Sequence, residues 1–268
     1  MSTLLAPAPP RERVLPLRLA GHTTDVVIRF RPGRGGDLLV CIHGFGCAKE
    51  SFDSGYAAAA LADLSICAVD LPGHGASGGL PEVDDVIEAY AQVVAAVAEQ
   101  LAPRRLFLLG HSMGGAVGLV ATHAVPVDRF ISVEGNLVAA DCGLVTQQTA
   151  TQSRDEFVTT GYARFLTELA ASDRPDLRQW AGWYKQAEPA ALHRLATSLL
   201  AWSRSGELLA RLRQLPGASY VYGVNSDLRH LLPHLGPTPA YPVSGAGHFP
   251  MVDNPYEFWQ VVAAALGR

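Results

Sequence analysis

The sequence predicts an α/β protein whose mostly parallel sheet of eight strands is flanked by helices and interrupted by a helical insertion. Between residues 38 and 133, short apolar runs alternate with longer segments of helical periodicity, a rhythm typical of parallel sheets covered by helices. The run at 38–42 is continuously apolar, as expected for a strand buried on both faces. Residues 137–215 hold only four of the 26 glycines and two of the 18 prolines, which favours helices there.

The first strands are predicted to form a hairpin, because Ala20-Gly21-His22 between residues 14–19 and 24–30 suits a tight turn. The alternating region then gives four strands, at 38–43, 65–70, 106–109 and 129–133. They are separated by three helices, at 56–64, 83–101 and 114–125. The longest of these helices has Val86, Tyr90 and Val93 at helical spacing.

The composition changes near residue 137, where a tryptophan-rich segment begins. Leu192, Leu195 and Leu199 recur there at helical spacing, and Pro189 suits the first turn of their helix. The earlier pattern then resumes with two strands and a final helix, at 219–222, 241–243 and 256–266. The sequence therefore predicts a sheet domain with an inserted helical cap, the first formed by 1–136 and 216–268 and the second by 137–215.

Composition argues against several classes of function. The 268 residues carry 21 Lys and Arg against 25 Asp and Glu, a formal net charge of −4. This balance disfavours a nucleic-acid-binding protein, because phosphate backbones are bound mainly by basic side chains. The Ala-rich segments are short and flanked by charge, so we expect no membrane span. The first residues lack the apolar stretch of a secretory signal, and we expect a cytoplasmic protein that acts on a small molecule.

The cysteine and histidine spacings favour neither disulfides nor a metal site. The four cysteines include no Cys-x-x-Cys pair, and they are too few for a disulfide framework in a chain of this length. No His-Glu-x-x-His motif occurs. We therefore expect reduced thiols, no metal and no cofactor.

The strongest motif is Gly-x-Ser-x-Gly at Gly110, Ser112 and Gly114. An apolar strand precedes it and a helix rich in small residues follows it, which is the context of a nucleophile elbow. A serine on such a sharp turn needs small neighbours two residues away, and the turn lifts its hydroxyl clear of the sheet. Ser112 is therefore the predicted nucleophile. The N–H of Met113, directly after it, is a predicted donor to an oxyanion.

Three further segments follow predicted strands: His43-Gly44-Phe45-Gly46, the run Asp-Leu-Pro-Gly-His-Gly-Ala-Ser at 70–77, and Gly-Ala-Gly-His-Phe-Pro at 245–250. With the serine motif, they resemble the α/β-hydrolase fold superfamily, in the branch of small esterases, thioesterases, lactonases and carbon–carbon bond hydrolases. The resemblance runs from about residue 14 to the end, and the insertion matches only in position and helical character. It implies an oxyanion hole completed by the Phe45 N–H, and His248 as the general base in the order Ser, acid, His.

Two residues compete for the acid of the triad. Superfamily members often carry it in Gly-x-x-Asp after the strand that follows the insertion, where this sequence has Ser226 and, one residue later, Asp227. Others, haloalkane dehalogenases among them, place it at the strand end after the elbow helix, where Glu134 lies. A carboxylate ending an apolar run needs a partner, because burying an unpaired charge is costly, and His248 would supply one. We favour Glu134 and keep Asp227 as the alternative.

These residues predict a serine hydrolase that works through an acyl-enzyme on Ser112. The expected substrate is a small to medium, largely apolar ester, thioester or lactone, because the insertion is rich in aromatic side chains. Trp180, Trp183 and Tyr184 are the candidates for binding it. A carbon–carbon bond hydrolase, lyase or cyclase on the same triad is the alternative, and a non-catalytic ligand receptor is a further one. The acyl group and the oligomeric state stay open.

Overall fold

A computed structural model of the protein describes residues 8–268, apart from the side chain of Leu144. The strands are β1 (Arg11–Leu19), β2 (His22–Arg31), β3 (Asp37–Ile42), β4 (Ser65–Val69), β5 (Arg105–His111), β6 (Arg129–Val133), β7 (Ala218–Gly223) and β8 (Ala240–Val243). They form one sheet in the order β1-β2-β4-β3-β5-β6-β7-β8. β2 pairs antiparallel with β1 and β4, and the remaining pairs are parallel. Residues 1–7 lie outside the described part of the chain. The prediction that the first residues do not form a secretory signal falls on this segment.

The described residues form ten α-helices. They are α1 (Val86–Leu101), α2 (Met113–Ala121), α3 (Leu144–Thr151), α4 (Arg154–Glu156), α5 (Tyr162–Ala170), α6 (Pro175–Tyr184), α7 (Pro189–Ser205), α8 (Glu207–Gln214), α9 (Pro250–Asp253) and α10 (Pro255–Ala265). A π-helical turn, Phe157–Gly161, joins α4 to α5. The fold class predicted from the sequence is confirmed, with a helical cap of α3 to α8 between β6 and β7.

The predicted hairpin is confirmed between β1 and β2. Leu19 pairs with His22, and the two residues between them have positive φ, 49° at Ala20 and 81° at Gly21. Positive φ at both central positions suits the right-handed twist of the strands that a two-residue turn connects. β1 begins three residues before its predicted start, and β2 extends beyond its predicted range at both ends.

The core lies on both faces of the central strands. All six residues of β3 are buried. Leu38, Val40 and Ile42 belong to one apolar cluster, whereas Leu39 and Cys41 belong to another. Since successive side chains of a strand point to opposite faces, the continuous apolar run reflects two separate cores, with the sheet between them.

The prediction of an α-helix at 56–64 is wrong. The segment instead forms two 3₁₀ helices, Lys49–Ala57 and Ala59–Leu61, which are separated at Ala58 by an extended backbone. A physical reason is the buried Arg31, whose guanidinium donates to the carbonyl of Tyr56 at 2.7 Å and also to Leu61 O. Because a buried charge requires such partners, Arg31 fixes these two carbonyls on either side of the break at Ala58.

The cap is joined to the sheet layer through the start of α1. Asp85 caps this helix by accepting from the Glu88 amide, and its carboxylate also accepts from the Trp202 indole and the Ser198 hydroxyl of α7, each at 2.7 Å. The predicted start of a helix at Pro189 is confirmed, since Pro189 opens α7. The division into a sheet domain and a cap domain at residues 137 and 215 stays a prediction. Within residues 8–268, no helix combines the length and apolar character needed to cross a membrane.

Candidate active site

The serine motif lies on a sharp turn between β5 and α2. Ser112 has φ 52° and ψ −119°. Residues other than glycine seldom adopt this backbone conformation, which costs about 1–3 kcal/mol. A Cβ at Gly110 would lie 2.1 Å from Gly114 O, and one at Gly114 would lie 2.2 Å from Ile42 O. Both flanking positions therefore require glycine. The surrounding backbone fixes the strained turn, since the Ser112 amide donates to Val133 O at 2.8 Å.

His248 follows β8 and is attached to the serine turn through its backbone. The Nε2 atom of His111 lies 2.8 Å from the carbonyl oxygen of His248, so Nε2 must carry the proton that it donates. Complete burial is the main cause that lowers the pKa of His111 well below its ordinary value, and the neighbouring His248 lowers it further. His111 is thus a neutral donor that joins the residue before Ser112 to the His248 loop.

Glu134 lies directly after β6, with φ 49° and only 5% exposure. One carboxylate oxygen accepts from the Gly223 amide at 2.8 Å. The other lies 3.5 Å from Nδ1 of His248. Because the carboxyl ends of parallel strands meet at one edge of the sheet, residues that follow β5, β6 and β8 come together here.

Asp227, the alternative acid, lies on the surface. Its side chain is 66% exposed, and both of its oxygens accept from the Arg229 guanidinium, at 2.8 and 2.7 Å. These hydrogen bonds lower the pKa of Asp227 to about 2. The structure therefore brings Glu134, and not Asp227, to the imidazole of His248.

The sequence reasoning missed Asn136, which is the hydrogen-bond partner of the Ser112 hydroxyl in this structure. The hydroxyl donates to the side-chain oxygen Oδ1 of Asn136 at 3.1 Å. The backbone N–H of Asn136 donates to the carbonyl oxygen of Ser112 at 3.3 Å. Asn136 is 3% exposed and follows β6 by three residues. A polar side chain beside Glu134 at the carboxyl edge of the sheet is the signal that could have found it.

The loop after β3 is fixed by the cap. Gly46 has φ 61°, and a Cβ there would lie 2.3 Å from the ring of Tyr184. The Trp180 indole N–H donates to the carbonyl oxygen of Phe45 at 3.0 Å. Both aromatic residues belong to α6, so this helix positions the loop that carries the Phe45 N–H. Met113 is the first residue of α2, where backbone N–H groups have no partner within the helix.

A cavity of about 220 Å³ brings these groups together. It is lined by Phe45, Cys47, His111, Ser112, Asn136, Asp141, Gly143, Val145, Thr146, Trp180, His248 and Phe249. Of the three aromatic residues expected to bind substrate, Trp180 is among these. Trp183 and Tyr184 are buried beneath the surface of the cap, Trp183 beside Phe249 and Tyr184 stacked on Tyr162, because the inner face of α6 is needed to pack the cap onto the sheet layer.

Cys47 also lines the cavity, but its chemistry differs from that of a reactive thiol. It is buried, and burial raises its pKa well above the ordinary value. A thiol with so little thiolate is a poor nucleophile. Across the described part of the chain, no group of three or more His, Cys, Asp and Glu side chains is arranged to hold a metal ion.

A serine on a strand–helix elbow, beneath a helical cap at the carboxyl edge of a mostly parallel sheet, defines the α/β-hydrolase class of proteins. Residues 39–261 match the alpha/beta hydrolase family, and the chain belongs to it.

Similar proteins include enzymes of more than one reaction type. The chain is 30% identical over 258 residues to the pimeloyl-[acyl-carrier protein] methyl ester esterase of Edwardsiella ictaluri, covering 84% of this chain and 92% of that protein. It is 38% identical over 151 residues to the 2-succinyl-6-hydroxy-2,4-cyclohexadiene-1-carboxylate synthase of Pectobacterium atrosepticum, covering 56% and 54% of the two chains. Some curated relatives are much longer, and the chain spans 25% and 34% of the length of two of them.

Solved structures show the same fold. A thermophilic esterase from Thermogutta terrifontis, with malate bound, has a TM-score of 0.74 at 18% identity, and the match covers 96% of this chain and 98% of that one. The match of residues 39–261 to the alpha/beta hydrolase family confirms the fold superfamily that the sequence resembles.

Proposed function

We propose that this chain is a serine hydrolase that cleaves a small, largely apolar ester, thioester or lactone through an acyl-enzyme. The observation that carries the proposal is the meeting of two features at one cavity. One is a serine on a strained elbow, and the other is an imidazole backed by a buried carboxylate. The same residues on the surface would have no pocket in which to hold an acyl group.

Each residue then has a role. With Nδ1 of His248 directed at Glu134, Nε2 is left to accept the Ser112 proton, and the carboxylate orients the ring and stabilises the imidazolium that forms. The Ser112 oxygen attacks the carbonyl carbon, and the Phe45 and Met113 N–H groups hold the oxyanion. His248 returns the proton to the leaving group. It then activates the water that hydrolyses the acyl-enzyme.

The Ser112 hydroxyl must turn to perform this step. It donates to Asn136 in the free protein, so the reaction begins with a rotation that exchanges this bond for one to His248. Catalytic hydrogen bonds are often poorly aligned in free enzymes and tighten in the complex with substrate. The cavity of about 220 Å³ corresponds to roughly seven water-sized volumes, which suits a short acyl group.

The relatives support esters as the substrate class. The similarity to a methyl ester esterase covers most of both chains. We further propose that the protein works without a cofactor and in the cytoplasm, where four buried free cysteines would remain reduced.

Turnover of short p-nitrophenyl esters tests the proposal. We expect Ser112→Ala to lower kcat by roughly a thousandfold or more, since it removes the attacking oxygen. The matched control is Ser205→Ala, an exposed serine at the end of α7, and it should hydrolyse the esters like the wild type. Wild-type protein that releases no more p-nitrophenol than Ser112→Ala would contradict the proposal.

The similarity to a synthase favours a lyase or cyclase as a second candidate for the same site. Hydrolysis places one oxygen atom from water in the acid product, whereas elimination or cyclisation does not. Turnover in heavy-oxygen water, read by mass spectrometry of the product, separates the two. Incorporation of one labelled oxygen supports hydrolysis, and its absence during turnover supports the second candidate.

A further inference from the structure

The Asn136 side chain presents an acceptor, and not a donor, to the nucleophile. Its Nδ2 atom donates to the carbonyl oxygen of Asp141 at 2.7 Å, which leaves Oδ1 facing Ser112. A flipped amide would place Oδ1 against that carbonyl, where neither oxygen can donate. The orientation of Asn136 is therefore determined by its partner in the cap.

Asp141 is itself held in place, so the orientation of Asn136 is rigid. One Asp141 carboxylate oxygen accepts from the amides of Leu137 and Val138, each at 2.8 Å. The other lies 2.6 Å from Nε2 of His230. Asp141 thus binds three successive residues of the segment that follows β6, namely Asn136, Leu137 and Val138. The Oδ1 atom of Asn136 is therefore an acceptor held in one position at the cavity.

This acceptor loses its partner during the reaction. Once Ser112 gives its proton to His248 and its oxygen bonds to the acyl carbon, the serine has no hydrogen to donate. Asn136 Oδ1 is then a buried acceptor without a donor. Leaving such a group unpaired is costly, and a substrate that supplies the missing donor recovers that cost.

We propose that Asn136 selects acyl groups that carry a hydroxyl or amide N–H on the α- or β-carbon. Asn136 Oδ1 lies 3.1 Å from the Ser112 oxygen, and the acyl carbon bonds to that oxygen, so α- and β-substituents come within reach of the acceptor. Phe45, Trp180 and Phe249 supply apolar walls for the rest of a short chain. This inference rests on the proposed function and narrows its substrate class.

Matched esters test the inference on the wild-type enzyme. Methyl 2-hydroxybutyrate and methyl 3-hydroxybutyrate carry the donor, the corresponding methoxybutyrates keep the oxygen without its hydrogen, and methyl butyrate has neither. We expect kcat/KM, divided by the rate of hydroxide hydrolysis of each ester, to be about 10- to 100-fold higher for at least one hydroxy ester than for its methoxy and plain counterparts. Equal values for all five esters would overturn the inference.

A variant assigns the preference to the residue. In Asn136→Ala, the ratio of kcat/KM between the preferred hydroxy ester and methyl butyrate should fall to within about threefold of one, whatever the absolute rates. A ratio that stays at the wild-type value would overturn the role of Asn136. If Asn136→Ala does not fold, Asn136→Leu, which keeps the side-chain volume and also removes the acceptor, is measured in its place, and the same ratio decides.

The two failures are distinguishable. If the wild type hydrolyses neither the p-nitrophenyl esters nor these five esters beyond the Ser112→Ala background, the proposed function fails, and the inference fails with it. If the wild type hydrolyses methyl butyrate and the hydroxy esters with equal efficiency, and Ser112→Ala hydrolyses none of them, the proposed function holds. Only the selection by Asn136 then fails.

Discussion

The Glu134 carboxylate has a partner at each oxygen, the Gly223 amide at 2.8 Å and His248 Nδ1 at 3.5 Å. Asp227 is bound on both oxygens by one exposed arginine. Such a surface pair contributes little to stability, whereas a buried carboxylate that faces an imidazole fixes the orientation and tautomer of the ring. Burial beside the imidazole, and not the distance from a sequence motif, therefore distinguishes Glu134 from Asp227 as the candidate acid.

Substitution of each acid by its amide separates them in function. We expect Glu134→Gln to lower kcat for ester hydrolysis by roughly a thousandfold to ten-thousandfold, because an amide facing Nδ1 favours the wrong tautomer. Asp227→Asn should stay within about twofold, since it alters an exposed pair. Steady-state kinetics of both, with thermal unfolding to show that they fold, measure this. A large loss in Asp227→Asn with full activity in Glu134→Gln would reverse the assignment.

Ser112, His248 and Glu134 could all be proposed from the sequence, because a motif or a strand end marks each one. The choice between the two acids could not be settled there. It depends on where the chain goes after Gly223, and nothing in the local sequence fixes that path. Asn136 was missed because its relation to Ser112 depends on a hydroxyl rotamer and on the Asp141 carbonyl, neither of which has a spacing signature.

At the scale of elements, the loop after β3 and helix α6 form one unit. Gly46 touches the Tyr184 ring and Phe45 accepts from the Trp180 indole. The sequence predicted the loop and a helical insertion, but neither α6 itself nor its contact with the loop, because residues 45 and 180 are far apart in the chain. The error in the helix predicted at 56–64 has a related cause, since Arg31, which is distant in the sequence, binds carbonyls on both sides of the break at Ala58.

Gly46→Ala tests this unit. Its methyl group would meet the Tyr184 ring at 2.3 Å and would force a positive φ on alanine, so we expect a loss of about 2–4 kcal/mol in the free energy of unfolding. The catalytic efficiency should fall as well, because the Phe45 N–H moves with the loop.

The control for this substitution is Gly35→Ala. Gly35 is exposed with open space around its Cβ position, and its substitution should change the free energy of unfolding by no more than about 0.5 kcal/mol. Urea unfolding of the two variants measures both values. Equal stabilities would show that α6 does not constrain the loop.

At the scale of the whole molecule, one edge of the sheet collects side chains from segments far apart in the sequence. The alternation of elements was enough to predict this, because parallel strands place all of their carboxyl ends together. The same edge buries three histidines, His43, His74 and His111. Burial lowers the pKa of His43, and burial together with a neighbouring histidine lowers those of His74 and His111 well below the ordinary value.

These three histidines should make the fold sensitive to acid. Because their pKa values are lower in the folded state, the unfolded chain binds more protons below about pH 6.5. Stability is therefore complete above that pH and is lost as the pH falls, by up to about 1.4 kcal/mol per pH unit for each histidine. Urea unfolding between about pH 8 and about pH 5 should show this decline.

Single variants identify the source of the decline. His74→Asn should make it shallower, whereas His22→Asn, at an exposed position, should leave it unchanged. A stability that stays flat down to about pH 5 would show that the buried histidines are not neutral in the fold.

The central claim is that Ser112 is a nucleophile activated by His248, and a fluorophosphonate probe tests it most directly. Intact mass spectrometry should find one adduct per chain on the wild type, and peptide mapping should place it on Ser112. Ser112→Ala should stay unlabelled, and His248→Ala should label at least a hundredfold more slowly, since general-base catalysis is lost. Equal labelling of the wild type and Ser112→Ala would contradict the account.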